Sequence, residues 1–102
     1  MPLYLAEIWL KNPSPDRVKE VAGMIGSAAK DATSIGAPQG VRFVAGPWAS
    51  NEEAKAVFVV EIPDHTATFQ VFSMNVARGL IEKRRLTPIV EWGEVEKMVQ
   101  QL

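Results

Sequence analysis

Glu7, Glu61 and Glu91 stand among apolar residues, and carboxylates gathered inside a cavity could have a pKa raised by burial and shuttle a proton. The plainer reading has them near strand ends, hydrated or paired with Arg42 or Lys55. His65, the single histidine, has the chemistry of a base or a haem ligand. Its setting, Pro63-Asp-His-Thr66, reads as the start of a helix, where a solvent-facing imidazole is expected, and one histidine without placed carboxylates builds no metal site. Trp9, Trp48 and Trp92 could stack on a flat substrate, although tryptophan more often supplies bulk to a core or an interface, and Trp92 is expected in the core. Glu82-Lys-Arg-Arg85 could grip a phosphate but reads as a solvated turn. Ser14, Ser27, Ser34 and Ser50 lack a nucleophile-elbow sequence, and Gly23-Met-Ile-Gly26 lacks the lysine of a phosphate loop.

The chain has no cysteine, which removes disulfides, thiolate nucleophiles, zinc fingers and iron–sulfur clusters together. No catalytic residue can be assigned, no metal site is expected, and no cofactor is expected. With 102 residues, 47% of them hydrophobic, a single domain spanning 1–102 can bury a core without staples. The formal net charge of −1 lacks the positive footprint that nucleic acid or anionic lipid requires, so neither nucleic acid nor membrane is an expected partner. The apolar start Leu3–Leu10 carries Glu7 and is too short for a membrane span or a signal peptide, so a cytoplasmic location is expected.

The elements that must position these residues follow from local pattern. Leu3 to Leu10 is short, branched and apolar on both faces, which predicts a first strand in mid-sheet, broken by Asn12-Pro-Ser-Pro15. Ser14 and Pro15 open a helix, with Asp16 complementing its dipole. Val18, Val21, Ala22, Ile25, Ala29, Ala32 and Ile35 form its buried stripe, and Gly36 with Pro38 ends it. Gly23 and Gly26 inside it predict close packing on the sheet. Val41–Ala45 is a second strand that Gly46-Pro47 disrupts, and Lys55–Ile62 is a third, pairing with it as a hairpin. Asp64 or Thr66 caps a second helix with a stripe of Phe69, Phe72, Val76 and Leu80. Leu86–Trp92 is a fourth strand, placed at an edge by Pro88, and Glu94–Leu102 is a terminal amphipathic helix.

The order β-α-β-β-α-β plus a tail helix predicts an α+β fold of the ferredoxin-like type, a four-stranded antiparallel sheet with its helices on one face. Alternation assigns Tyr4, Ala6, Ile8, Leu10, Val41, Phe43, Ala45, Ala56, Phe58, Val60, Ile62, Leu86, Val90 and Trp92 to the helix side. The opposite set, Leu3, Leu5, Glu7, Trp9, Arg42, Val44, Trp48, Val57, Val59, Glu61, Thr87, Ile89 and Glu91, is too apolar to be left in water. Burying a Val, Leu or Ile is worth roughly 1.5–3 kcal/mol, so this open face could give an association on the order of 10 kcal/mol. The expected partner is a second copy, a homodimer through the open sheet face. Its polar members, Glu7, Trp9, Arg42, Trp48, Glu61 and Glu91, outline a candidate ligand pocket.

Gly40-Val-Arg-Phe-Val-Ala-Gly-Pro-Trp48, Val59-Val-Glu61 and Leu86-Thr-Pro-Ile-Val-Glu91 resemble the pattern of the DUF3303 family, a small group akin to the dimeric α+β barrel superfamily. The resemblance covers most of the chain and implies the fold and a dimer. It implies no reaction, since that superfamily holds cofactor-free monooxygenases, haem-degrading enzymes, lactone isomerases and proteins of no known activity. Two functions follow. One is a dimer binding a small apolar or aromatic ligand between the sheets, with or without catalysis; the other is a non-catalytic dimeric interaction module with no ligand. An RNA-binding sheet of the same βαββαβ order is rejected, because its third strand offers Val57, Val59 and Glu61 where stacking aromatics are needed.

Overall fold

The computed structural model describes residues 2–64, 66 and 68–102, so the expectation of a solvent-facing His65 lies outside the described residues. The chain runs β1 (Leu3–Leu10), α1 (Pro15–Lys30), a 3₁₀ turn (Ala32–Ile35), β2 (Arg42–Ala49), β3 (Lys55–Glu61), α2 (Phe69–Ala77), β4 (Ile81–Ile89) and α3 (Trp92–Gln100). The four strands form one sheet in the order β2-β3-β1-β4, every neighbour antiparallel. This is the ferredoxin-like α+β architecture. β1 takes a central place because it is apolar on both faces: Tyr4 and Ala6 are buried, while Leu3 and Leu5 are half-covered on the other side.

Ser14 is extended and its Oγ accepts from the Arg17 backbone N–H at 3.3 Å, with Pro15 as the first helical residue. The periodicity predicts one helix through Ile35, but α1 stops at Lys30. Asp31 leaves the helical region, and its Oδ1 accepts from the Thr33 N–H at 3.0 Å and from Thr33 Oγ1 at 2.7 Å, starting the 3₁₀ turn instead. Gly36, at φ 91°, closes that turn. The inward stripe is rotated from the expected one. Val21, Ala28 and Ala32 are buried with Met24 and Ile25 beside them, whereas Val18 and Ala22 are exposed. Gly23 and Gly26 do not pack on the sheet: both are exposed, and an added Cβ would meet nothing within 4 Å at either.

β2 runs through Gly46-Pro47 rather than ending there. Two irregularities carry it past, between Phe43 and Ala45 and between Ala45 and Trp48, and Pro47 is tolerated because β2 is an edge strand. Gly46 sits at φ 84°, and a Cβ on it would lie 2.9 Å from Trp48 Cε3 and 3.1 Å from the Val57 carbonyl oxygen. The bulge also sets Ala45 opposite Val59, on the open face, where unbroken alternation would keep it with Phe43 on the helix side.

β4 begins at Ile81, so Glu82–Arg85 are strand and not a turn: Lys83, Arg84 and Arg85 lie opposite Trp9, Ile8 and Glu7. A charged edge strand is a common guard against stray pairing. The strand ends at Ile89, leaving Val90 exposed and making Trp92 the first residue of α3. Trp92 is 72% exposed and is no part of the core.

In α2, Phe72 faces inward and Leu80 is buried beyond its end, whereas Phe69 and Val76 face solvent and Val71 and Asn75 replace them in the interior. Asn75 can be buried because its Nδ2 donates to the Val71 carbonyl at 2.9 Å. Thr68 precedes the helix without a side-chain cap bond, and Asp64 Oδ1 instead accepts from the Thr66 N–H at 2.9 Å.

The main core gathers Tyr4, Ala6, Ala32, Ala37, Val41, Phe58, Val60 and Ile62, with Phe43 stacked on Phe58 at 4.2 Å between centroids. A second cluster forms around Val21, Leu80 and Ile81. No described helix is long and apolar enough to cross a membrane.

Because Gly23 and Gly26 occupy exposed interior positions of α1 with free space around them, Gly23→Ala and Gly26→Ala should each raise unfolding free energy by roughly 0.5–1 kcal/mol. Urea midpoints would register the gain. A drop at either position would mean that the glycine serves a contact or a motion that the space around it does not reveal.

Candidate functional site

On the open face the six residues proposed as a pocket do not converge. Glu7, in the middle of β1, is met by Lys55 Nζ at 2.8 Å. Glu61, at the end of β3, binds Arg42 through Nη2 at 2.8 Å and Nε at 3.0 Å. Glu7 lies opposite Val57 and Glu61 is four residues further along that strand, roughly 13 Å away. Trp48 is exposed on the edge strand beside Gly46, and Glu91 is the exposed residue preceding α3. The Lys55 ammonium holds the Glu7 carboxyl below its ordinary range by hydrogen bonding to it, outweighing desolvation. A proton shuttle would need the opposite direction.

Trp9 has a more particular surrounding. Its ring is approached by Lys83 Nζ at 4.6 Å, Lys55 Nζ at 4.9 Å and Arg85 Cζ at 5.8 Å from the centroid. Its Nε1 donates to Glu53 Oε1 at 3.4 Å, and Glu53 also lies 3.4 Å from Lys55. The pattern β1-β3-β4 therefore collects cations around one indole at one end of the open face.

The concave feature lies on the other side of the sheet. Between the sheet and the helices is a cavity of about 90 Å³, walled by apolar side chains from every layer, among them Val21, Ile25, Ala28, Phe58 and Phe72. Its polar lining includes Thr68, Asn75 and Arg84. A second hollow of about 190 Å³ between α1 and α2 shares Met24, Ile35, Val71 and Asn75 with it and reaches Ser34 and Arg78. The start of α1 is tied to the end of α2: Arg17 Nη1 donates to the carbonyls of Lys11 and Gly79, each at 3.0 Å, and Arg78 pairs with Glu20.

Arg84 is the residue that sequence reasoning missed. Its Nη1 donates to Thr68 Oγ1 at 2.6 Å and its guanidinium lies 4.8 Å from the Phe72 centroid. Burial pushes its pKa down. The signal was available: with Leu86 assigned inward, carrying the two-residue alternation back across the charged run puts Arg84 on the helix face.

No family model matches the chain, and no curated protein matches its sequence. The resemblance to DUF3303 accordingly stands on the quoted motifs alone. Among solved structures, an uncharacterized NIPSNAP domain protein from Burkholderia xenovorans superposes with a TM-score of 0.53 at 12% identity, covering 89% of this chain and 94% of that one. A protein described as an antibiotic biosynthesis monooxygenase from Bacteriodes thetaiotaomicron superposes with a TM-score of 0.52 at 17% identity, covering 88% of each chain. At such identities the likeness establishes the ferredoxin-like fold.

The Glu7–Lys55 pair has a pH signature. Glu7 has its folded pKa lowered, so its contribution to stability is present above the ordinary value of 4.5 and is lost as pH falls through the lower, folded value. Glu7→Gln should therefore flatten the acid limb of a plot of urea midpoint against pH below 4.5. The flattening should be partial, because Asp31, also held below its ordinary value by Thr33, remains. Superimposable acid limbs would show that the pair is worth nothing in solution.

Proposed function

We propose that this protein is a homodimer that binds a small apolar or aromatic molecule in the cavity between sheet and helices of each subunit. The observation that carries this reading is the cavity itself: it is concave and lined mainly by apolar side chains, with Glu7, Thr68, Asn75, Arg84 and Arg85 as the polar residues along its wall, the ordinary make-up of a ligand site. This moves the ligand from the space between two sheets, where the polar residues are paired with one another, to the helix side. At about 90 Å³ the cavity is smaller than the roughly 150 Å³ that holds benzene in an engineered core, so a ring-sized ligand requires some separation of the helices. The reading assigns no catalytic residue, and kinship with the DUF3303 pattern would add none. A cysteine-free chain also suits a reducing cytoplasm.

The dimer rests on the open face, where Leu3, Leu5, Val57, Val59 and Ile89 are half-covered and Val44 and Trp48 are exposed. A second reading, an interaction module without a ligand, is favoured by α3, which buries none of its residues and leaves Trp92, Met98 and Val99 exposed, with Leu102 exposed just beyond it.

Ala28 is buried against the cavity, and Ala28→Leu should fill part of it. NMR titration of the wild-type chain with hexanol should shift resonances of cavity-lining residues, and Ala28→Leu should weaken that response at least several-fold. No shifts at all would favour the interaction module, and shifts confined to open-face residues would return the ligand to the space between two sheets. Val59 pairs with Leu5 and Ala45 at the centre of the open face. An arginine there would be a buried charge without a partner in each subunit, costing several kcal/mol. Val59→Arg should yield a folded monomer, or a poorly soluble chain, by light scattering and circular dichroism. An unchanged dimer mass would remove this face as the interface.

A further inference from the structure

We infer that the ligand of the helix-side cavity carries a compact anionic head, a carboxylate on a short aliphatic chain, and that the Arg84 guanidinium is what binds it. This deepens the cavity reading and rests on it.

The alternation of β4 divides three successive cations between two environments. Lys83 and Arg85 turn to the open face and crowd the Trp9 ring. Arg84, opposite Ile8, turns inward to the cavity wall. A guanidinium offers five N–H donors, and among the described residues the bond to Thr68 Oγ1 engages one of them. Among the described residues ion pairs join Arg42 to Glu61, Lys55 to Glu7 and Glu53, Arg78 to Glu20 and Lys97 to Glu94, and none of these pairs reaches Arg84. A partly buried cation facing an apolar cavity without a counter-ion is costly to keep unless an anion satisfies it.

Arginine is also the side chain whose planar fork matches a carboxylate in two parallel hydrogen bonds. Phe72 covers one face of the guanidinium, leaving its edge as the binding surface. Beyond the head group, Val21, Ile25 and Ala28 supply a hydrocarbon wall, and the hollow past Met24 and Ile35 gives an unbranched tail a way out. An extended chain suits this narrow, continuous space better than a ring.

Hexanoate and hexanamide present the same chain and differ in charge, so their affinities for the wild-type chain at pH 7, measured by calorimetry or NMR titration, isolate the head group. Hexanoate should bind about 10- to 100-fold more tightly, the gain expected of a charge-assisted bond. Arg84→Gln should bring the two to parity while hexanamide affinity is kept, and Lys83→Gln, at a neighbouring cation outside the cavity lining, should leave the preference intact. If Arg84→Gln does not fold by circular dichroism, the wild-type Arg84 Nε–H resonance decides: hexanoate should move it and hexanamide should not. Equal binding of the two probes to the wild type would overturn the anionic head and leave the cavity reading standing. A preference that disappears with Lys83 would overturn the role of Arg84. Binding of neither probe would remove both the cavity reading and this inference.

Discussion

A sheet has two faces, and this chain packs helices against only one of them. The central strands β1 and β3 are apolar on both sides, so α1 and α2 can satisfy half of their demand for burial. The remaining half leaves Leu3, Leu5, Val57 and Val59 partly open. The paired charges beside them follow from the same imbalance. Glu7 and Glu61 each sit on a largely apolar surface, and each is neutralised by a cation one strand away. Each pair keeps a charge on an apolar face satisfied.

The helix side has its own compromise. α1 ends at Asp31, because its short carboxylate captures the Thr33 N–H, and α2 is short and lacks a side-chain cap. Two helices of unequal length over a four-stranded sheet, fastened to each other near Gly79, do not close the space beneath them. The resulting void has a cost in lost contacts, and a folded chain retains such a void most readily where something fills it. The ferredoxin-like fold by itself says nothing about what that is, since one fold hosts many functions.

Much of the scaffold was legible because its signals are local. The bounds of β1, the Ser14–Pro15 start of α1 and the hairpin of β2 and β3 follow from neighbours within a few residues. So does the edge position that Pro88 suggested for β4. The errors share a cause. Gly46-Pro47 and Glu82–Arg85 look like breaks to a local reading, and both are strand, because an edge strand tolerates a missing donor on its outer side and long charged side chains along its length. Gly23 and Gly26 looked like contact points because propensity records only their cost, not the open space beside them.

By itself, then, the sequence determined the order of elements, the fold class, and the presence of two apolar sheet faces, since each is written in periodicity and in turn residues. Only the tertiary structure decided where the candidate site lies. Periodicity states that Lys83, Arg84 and Arg85 alternate but not where the strand begins, and that starting point sends Arg84 to the cavity and its neighbours to Trp9. The separation of Glu7 from Glu61 and the rotation of α2 that buries Asn75 in place of Val76 are likewise matters of register and packing between distant segments. Such relations are set by side chains meeting across the fold, and no stretch of neighbouring residues contains them.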